Sequence, residues 1–165
     1  MKIIGIDPGT AITGYSVIEK EGNRLTVITY GCIYTESNTI LSERLHKIFL
    51  ELTEIITQYQ PTHMAVEELF FNTNAKTALS VGHARGVILL AGELHSLIVA
   101  GYTPLQVKQA IAGYGRAEKS QVQKMVKTIL CLDKIPKPDD AADALAVAIC
   151  HSQSFSMNHK LRGIR

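Results

Sequence analysis

A disulfide framework is not open to this sequence: its three cysteines, Cys32, Cys131 and Cys150, are odd in number and lack CxxC spacing. A thiolate zinc site is likewise not favoured, and a reducing cytoplasm is the expected setting. No stretch reaches the roughly 18 uninterrupted apolar residues of a membrane span. The best run, Gly86-Val87-Ile88-Leu89-Leu90-Ala91-Gly92, gives way to Glu93 and His95 and reads as a packed helix. The N-terminus enters an apolar strand without the basic start and small-residue cleavage site of a signal peptide, so a cytoplasmic protein free of membrane is expected. Internal repeats, low-complexity tracts and linkers are also missing, which suits one domain of ordinary size. The scattered His46, His63, His83, His95, His151 and His159 offer no zinc-ligand spacing.

Charge of either sign is scarce overall, with 17 Lys/Arg against 15 Asp/Glu for a net +2, but it is unevenly placed. Residues 1–104 hold seven Lys/Arg against ten Asp/Glu, residues 105–137 seven against two, and residues 138–165 three against three. Local potential, more than the sum, governs association with a polyanion. The basic segment carries Lys108, Arg116, Lys119, Lys124, Lys127, Lys134 and Lys137. It reads either as a phosphate-tracking face or as a solvated helix surface.

Periodicity orders the rest. Residues 2–7, 13–20 and 24–34 read as three strands, separated by turns at Pro8-Gly9-Thr10 and Glu21-Gly22-Asn23. Leu41, Leu45, Ile48, Leu52, Ile55 and Tyr59 recur at spacings of three and four, which predicts a helix ending before Pro61. That helix provides the long crossover needed for His63–Glu67 to lie parallel to the first strand. A second helix is expected from about Ala75 to Ala100, stopping at Gly101, with Tyr102–Leu105 as a brief edge strand. Further helices open at Ala117 and at Pro138 or Asp139, and from Ser152 onward the chain reads as a polar, frayed tail. The expected organisation is therefore one unit over 1–151 and a tail over 152–165.

Asp7 ends the first apolar strand and Glu67 ends the parallel one, so equivalent strand ends set two carboxylates side by side. Crowded anions of this kind require a proton or a cation. Asp140 and Asp143, three apart at the start of the last helix, share a face and complete an acidic cup. Oxygen-only ligation suits Mg²⁺ or Mn²⁺. Two such ions about 3.5 to 4 Å apart activate water and neutralise a leaving oxygen in phosphodiester cleavage. Plainer readings stand beside this one. Asp7 can cap its own turn through Thr10, and Asp139, Asp140 and Asp143 can favour a helix dipole. Spacing alone does not choose between Asp139 and Asp140, and adjacent strand residues face opposite ways, so only one of Glu67 and Glu68 joins the cup.

Five ordered segments add a resemblance: GIDPGT with TGY, AVEELF, QVKQAIAG, AEKSQVQ and DDAADALAVAI. In this order and at these intervals the chain resembles the RuvC family of bacterial Holliday junction resolvases over residues 2 to about 151. The resemblance implies an α/β, ribonuclease H-like fold, with a mixed five-stranded sheet flanked by helices. It also implies Mg²⁺-dependent nicking of four-way DNA junctions by a homodimer, and RuvA and RuvB as branch-migration partners. Carried over residue by residue, Asp7, Glu67, Asp140 and Asp143 are catalytic and metal-binding, and Asp139 falls outside the quartet. Phe70 is placed to stack on an unpaired base, and Lys108 and Lys119 contact DNA. Arg116 has no counterpart carried over, so its DNA contact rests on charge, and Arg85 is left undecided.

Two rivals share parts of this pattern. Asp7-Pro8-Gly9-Thr10 also resembles the first phosphate loop of actin-like ATPases, but the second phosphate loop and the adenosine motif are missing. A junction-binding protein without catalysis would explain the basic segment and the aromatics, and would leave the acids as caps.

Overall fold

A computed structural model of the chain describes residues 1–68 and 75–162, with side chains described from Ala78 to Phe155 within the second part. Three strands come first: β1 (Lys2–Asp7), β2 (Ile12–Glu21) and β3 (Arg24–Tyr34). Helix α1 (Leu41–Tyr59) crosses over to β4 (His63–Glu67), and α2 (Ala75–Leu94) leads to β5 (Ile98–Tyr102). Helices α3 (Pro104–Ala112), α4 (Lys119–Ile129) and α5 (Asp139–Arg162) follow. The strand order is β3-β2-β1-β4-β5. β1 runs antiparallel to β2 and parallel to β4, β4 is parallel to β5, and the sheet is therefore mixed, as the resemblance implies.

At its centre the sheet is buried on both faces, which is why β1 reads as a continuous apolar run instead of an alternation. Ile4 and Ile6 point to one face and pack with Ile48, Leu52 and Ile56 of α1 and Ala84, Ile88 and Ala91 of α2. Ile3 points to the other, against Val107 and Ile111 of α3, Val122 and Val126 of α4, and Leu145 and Ile149 of α5. Each fully buried Leu or Ile in these layers contributes about 1.5 to 3 kcal/mol. Leu41, the first member of the expected α1 stripe, lies outside the core at 38% exposure.

Three expectations are corrected. The helix after Ala75 stops at Leu94, short of Ala100. Ser96 takes a left-handed turn at φ 55°, and the β-branched Ile98 and Val99 then pair with His63 and Met64 of β4. Such residues fit a pleated surface better than a helix end. The edge strand expected at Tyr102–Leu105 lies earlier, at Ile98–Tyr102, and Pro104 and Leu105 open α3, where the Thr103 hydroxyl caps Gln106 N–H. At the other end of the chain, α5 does not fray at Ser152. Ser152 is 1% exposed, its hydroxyl donates to Ile149 O at 2.7 Å, and the Phe155 ring packs 4.7 Å from His63. Among the described residues, no helix is long and apolar enough to cross a membrane.

Candidate active site

The site begins where β1 and β4 end. Their parallel register pairs Ile6 with Val66, so the next residues, Asp7 and Glu67, stand beside one another at the same sheet edge. Neighbouring strands are about 4.8 Å apart, too close for two free anions in a partly dry setting. The two carboxyl groups are hydrogen-bond partners, and their crowding favours a proton on the pair, with Asp7 the more strongly raised. Burial first, and then the charges of Glu67, Asp143 and Asp140, push Asp7 from its ordinary 3.8 up to about 8. Burial also raises Glu67, against the pull of Asp7, Lys119 and Lys108.

The last two acids reach this edge because α5 lies directly on the sheet. Gly5 of β1 and Gly14 of β2 leave the necessary room. A Cβ on Gly5 would run into Ala144 O and would stand 2.8 Å from the Ala148 Cβ. A Cβ on Gly14 would run into Asp140 O. Since Gly14 pairs with Asp7 across the β1–β2 ladder, this close approach sets the first turn of α5 against the end of β1. Asp140 and Asp143 both act on Asp7 through their charge. Asp139 has another surrounding: it accepts from Lys137 Nζ at 2.7 Å, is drawn to Lys119 at 3.7 Å, and is held below its ordinary value chiefly by the Lys137 hydrogen bond. The choice that spacing left open is thus made by position, with Asp140 toward the cup and Asp139 toward the surface lysines. Glu68 leaves the cup as well, its carboxylate lying against Gly101 of β5.

Two recesses flank the acids. One, of about 200 Å³, is lined by Glu67, Asp143, Lys108 and Lys119, with Val107 and Val122 as an apolar wall. Lys119 is the first residue of α4, and its Nζ donates to Asp143 Oδ2 at 2.8 Å. Burial pulls Lys119 down, but this hydrogen bond and the charges of Asp143, Asp139 and Asp140 outweigh it and hold the ammonium above its ordinary value. Asp143 is raised by burial in spite of the lysine. The second recess, of about 350 Å³, lies on the Asp140 side and contains Gly9, Thr10, Ser80 and Arg44.

Among the described residues, no three His, Cys, Asp or Glu side chains converge closely enough to grip an ion as they stand. The ammonium of Lys119 already engages Asp143. The donor chemistry nevertheless fits a hard divalent cation, since the acids Asp7, Glu67, Asp140 and Asp143 offer only oxygen donors and burial together with their mutual charge pushes Asp7 upward.

The sequence-derived residues therefore separate. Asp7, Glu67, Asp140 and Asp143 come together at one sheet edge, and Lys108 and Lys119 line the same cleft. Arg116 is exposed in the α3–α4 connection and lines neither recess. Phe70 lies outside the described residues. Arg85 is partly buried on α2, and its Nε finds no hydrogen-bond partner among the described residues. Periodicity passed over Arg44 and Ser80, which the second recess brings to Thr10. The available signal was a cationic residue beside the apolar stripe of α1, next to Leu45.

Five strands in this order and direction, with carboxyls converging where β1, β4 and the first turn of a closing helix meet, define a nuclease of the ribonuclease H-like class. Within that class the chain belongs to the RuvC family: the family model for crossover junction endodeoxyribonuclease RuvC matches residues 3–151. A crossover junction endodeoxyribonuclease RuvC of Desulforamulus reducens is 67% identical over 153 residues, spanning 93% of this chain and 94% of the relative. The Thermus thermophilus RuvC structure superposes with a TM-score of 0.89 at 36% identity, covering 96% of this chain and 97% of that one. The T. thermophilus RuvC in complex with Holliday junction substrate superposes with a TM-score of 0.87 at 34% identity, covering 95% and 96%.

Proposed function

We propose that the chain resolves Holliday junctions, nicking four-way DNA symmetrically as a homodimer, with Asp7, Glu67, Asp140 and Asp143 as its catalytic and metal-binding acids. The observation that carries this reading is the gathering of four carboxyl groups, with Asp7 and Glu67 at the ends of two parallel strands and Asp140 and Asp143 at the start of the helix laid against them. A pocket so short of positive charge is built to receive it. Mg²⁺, two ions per site with Mn²⁺ as a substitute, would supply that charge, polarising the scissile phosphate and easing deprotonation of the attacking water. Asp7 would have to give up its proton to hold the cation, so loading would strengthen as pH rises. Glu67 and Asp140 hold the two sides of the cup, and Asp143 turns inward from Lys119. Lys108 and Lys119, freed toward the cleft, take phosphates of the cut strand. Phe70 stacks on an unpaired base at the crossover, and Arg116 meets a phosphate farther along an arm.

A junction with two-fold symmetry requires two matching cuts, and one cup per chain supplies one. For the second copy we take the face of α2, where Leu79, Leu90 and Leu94 are 64%, 54% and 62% exposed at helical spacing. Family membership supports RuvA and RuvB as partners, and the three free cysteines suit the cytoplasm.

The test is a labelled synthetic four-way junction incubated with the purified chain and Mg²⁺. Paired symmetric nicks are expected. Asp7→Asn should abolish cutting and leave binding largely intact, and Leu90→Asp with Leu94→Asp should yield a monomer by light scattering. Wild-type binding without cutting in Mg²⁺ or Mn²⁺ would favour a purely architectural role, and rapid cutting of ordinary duplex would indicate a general nuclease.

A further inference from the structure

The recess on the Asp140 side has a charged group that the acid cup does not use. Arg44, on α1, donates from Nε to Thr35 Oγ1 at 2.8 Å, and Thr35 donates in turn to Thr10 O. Thr10 Oγ1 donates to Ser80 O at 2.7 Å and lies 2.8 Å from Ser80 Oγ. This chain of contacts ties α1, the end of β3 and α2 to the turn that follows Asp7. It uses only one of the guanidinium's nitrogens. The two terminal nitrogens make no hydrogen bond or ion pair among the described residues, and Arg44 lines the recess together with Gly9, Thr10, Ser80 and Asp140.

A guanidinium fixed at Nε, with its outer edge free, is pre-organised for a planar, two-point contact with phosphate oxygens. The hydroxyls of Thr10 and Ser80 are already engaged with each other, which leaves the positive charge to Arg44. On the opposite side of the same carboxylates stand Lys108 and Lys119. Positive charge thus flanks the acids on two sides, as a polyanionic strand laid across them requires.

We propose that Arg44 forms a second phosphate subsite, gripping the DNA backbone one or a few nucleotides from the phosphate held over the acids. The subsite rests on the reading that the cup cuts DNA. Arg44 fixes the register of the strand: with Lys108 and Lys119 on one side and Arg44 on the other, one phosphate is held over the carboxylates. Arg44 is a positioning residue, touching the strand away from the bond that breaks.

The test uses the full chain and a four-way junction in EDTA, where binding is read without cutting. Arg44→Gln should weaken binding about tenfold and lower the slope of log affinity against log salt by about 0.7 to 0.9, the signature of one lost phosphate contact. Single neutral methylphosphonates are then walked along the strands near the crossover. One position that weakens wild-type binding should cease to matter for Arg44→Gln and should still matter for Arg44→Lys, which keeps the charge. Thr35→Val removes the internal tether but leaves the guanidinium, and should keep the wild-type salt slope. If Arg44→Gln retains the wild-type slope and the full set of sensitive phosphates, Arg44 is only a brace for the turn and the proposal falls. A wild-type chain that binds no junction would remove the functional reading along with it, whereas normal wild-type binding with an indifferent Arg44→Gln removes the subsite alone.

Discussion

Replacing Asp7 with asparagine should make the metal-free protein more stable while removing its proposed activity. The folded chain keeps a proton on Asp7 up to about pH 8, whereas the unfolded chain releases it near 3.8. An acid raised in this way contributes stability that is fully present below pH 3.8 and lost as pH rises toward 8. At about 1.4 kcal/mol per pH unit, the loss reaches about 4 kcal/mol by pH 7. Asparagine stays neutral throughout, and its amide donates to Glu67 as the protonated carboxyl does. Solvent that still reaches this partly buried edge lowers the expected gain to about 2 to 4 kcal/mol. For a chain of this size that amounts to roughly 5 to 15 °C in melting temperature. The assay is thermal unfolding in EDTA of both proteins between pH 4 and 8, repeated with Mg²⁺. The gap should be widest near pH 8 and close toward pH 4, and Mg²⁺ should raise the wild type much more than the variant. Equal melting temperatures at pH 7 in EDTA, or a gap indifferent to pH, would refute the reasoning and return Asp7 to the role of a turn cap.

Two further outcomes follow from the same geometry. Gly14→Ala drives a methyl group into the backbone of Asp140, which cannot swing aside as a side-chain tip can. Its cost should exceed about 2 kcal/mol in denaturant unfolding, and junction cutting should fall although every acid is retained. His151, 1% exposed, is pushed down to about 4 by burial first, then by His63 and Lys20. Between pH 6.5 and 4 the unfolded chain therefore binds the extra proton, so stability is present above 6.5 and lost as pH falls, by about 2 kcal/mol at pH 5. Measured in the Asp7→Asn background, where the acid no longer contributes, the denaturation midpoint should drop from pH 7 to pH 5. An imidazole resonance of His151 titrating near 6.5 would contradict this.

Much of the site could be read from residue order because strand ends announce themselves. An apolar run that stops at Asp7 and another that stops at Glu67, joined by a helix-length crossover, leave few alternatives to parallel neighbours. Helical spacing is less decisive, since Asp139 and Asp140 lie within one turn of Asp143, and what separates them is the reach of Lys137. β5 was hidden for a similar reason: Ile98-Val99-Ala100 continues the apolar character of α2, and only the backbone reversal at Ser96 shows the helix has ended. Fraying right at Ser152 was expected because polarity was counted without its neighbours. Ser152 satisfies its hydroxyl within its own helix, and Phe155 finds two imidazoles. The contacts among Arg44, Thr35, Thr10 and Ser80 join four separate segments of chain, and no local pattern encodes them.

The close seating of α5 on Gly5 and Gly14 has a consequence for synthesis. The first two acids leave the ribosome early, one in the opening strand and the other well before mid-chain, but the remaining pair emerges close to the end. On the proposed assignment, a nascent chain in which α5 has not yet settled against β1 and β2 holds half of the cup and should not cut nucleic acid. By the same assignment, a product truncated before Asp140 should be inactive. Competence arrives only when the two extremities of the polypeptide meet.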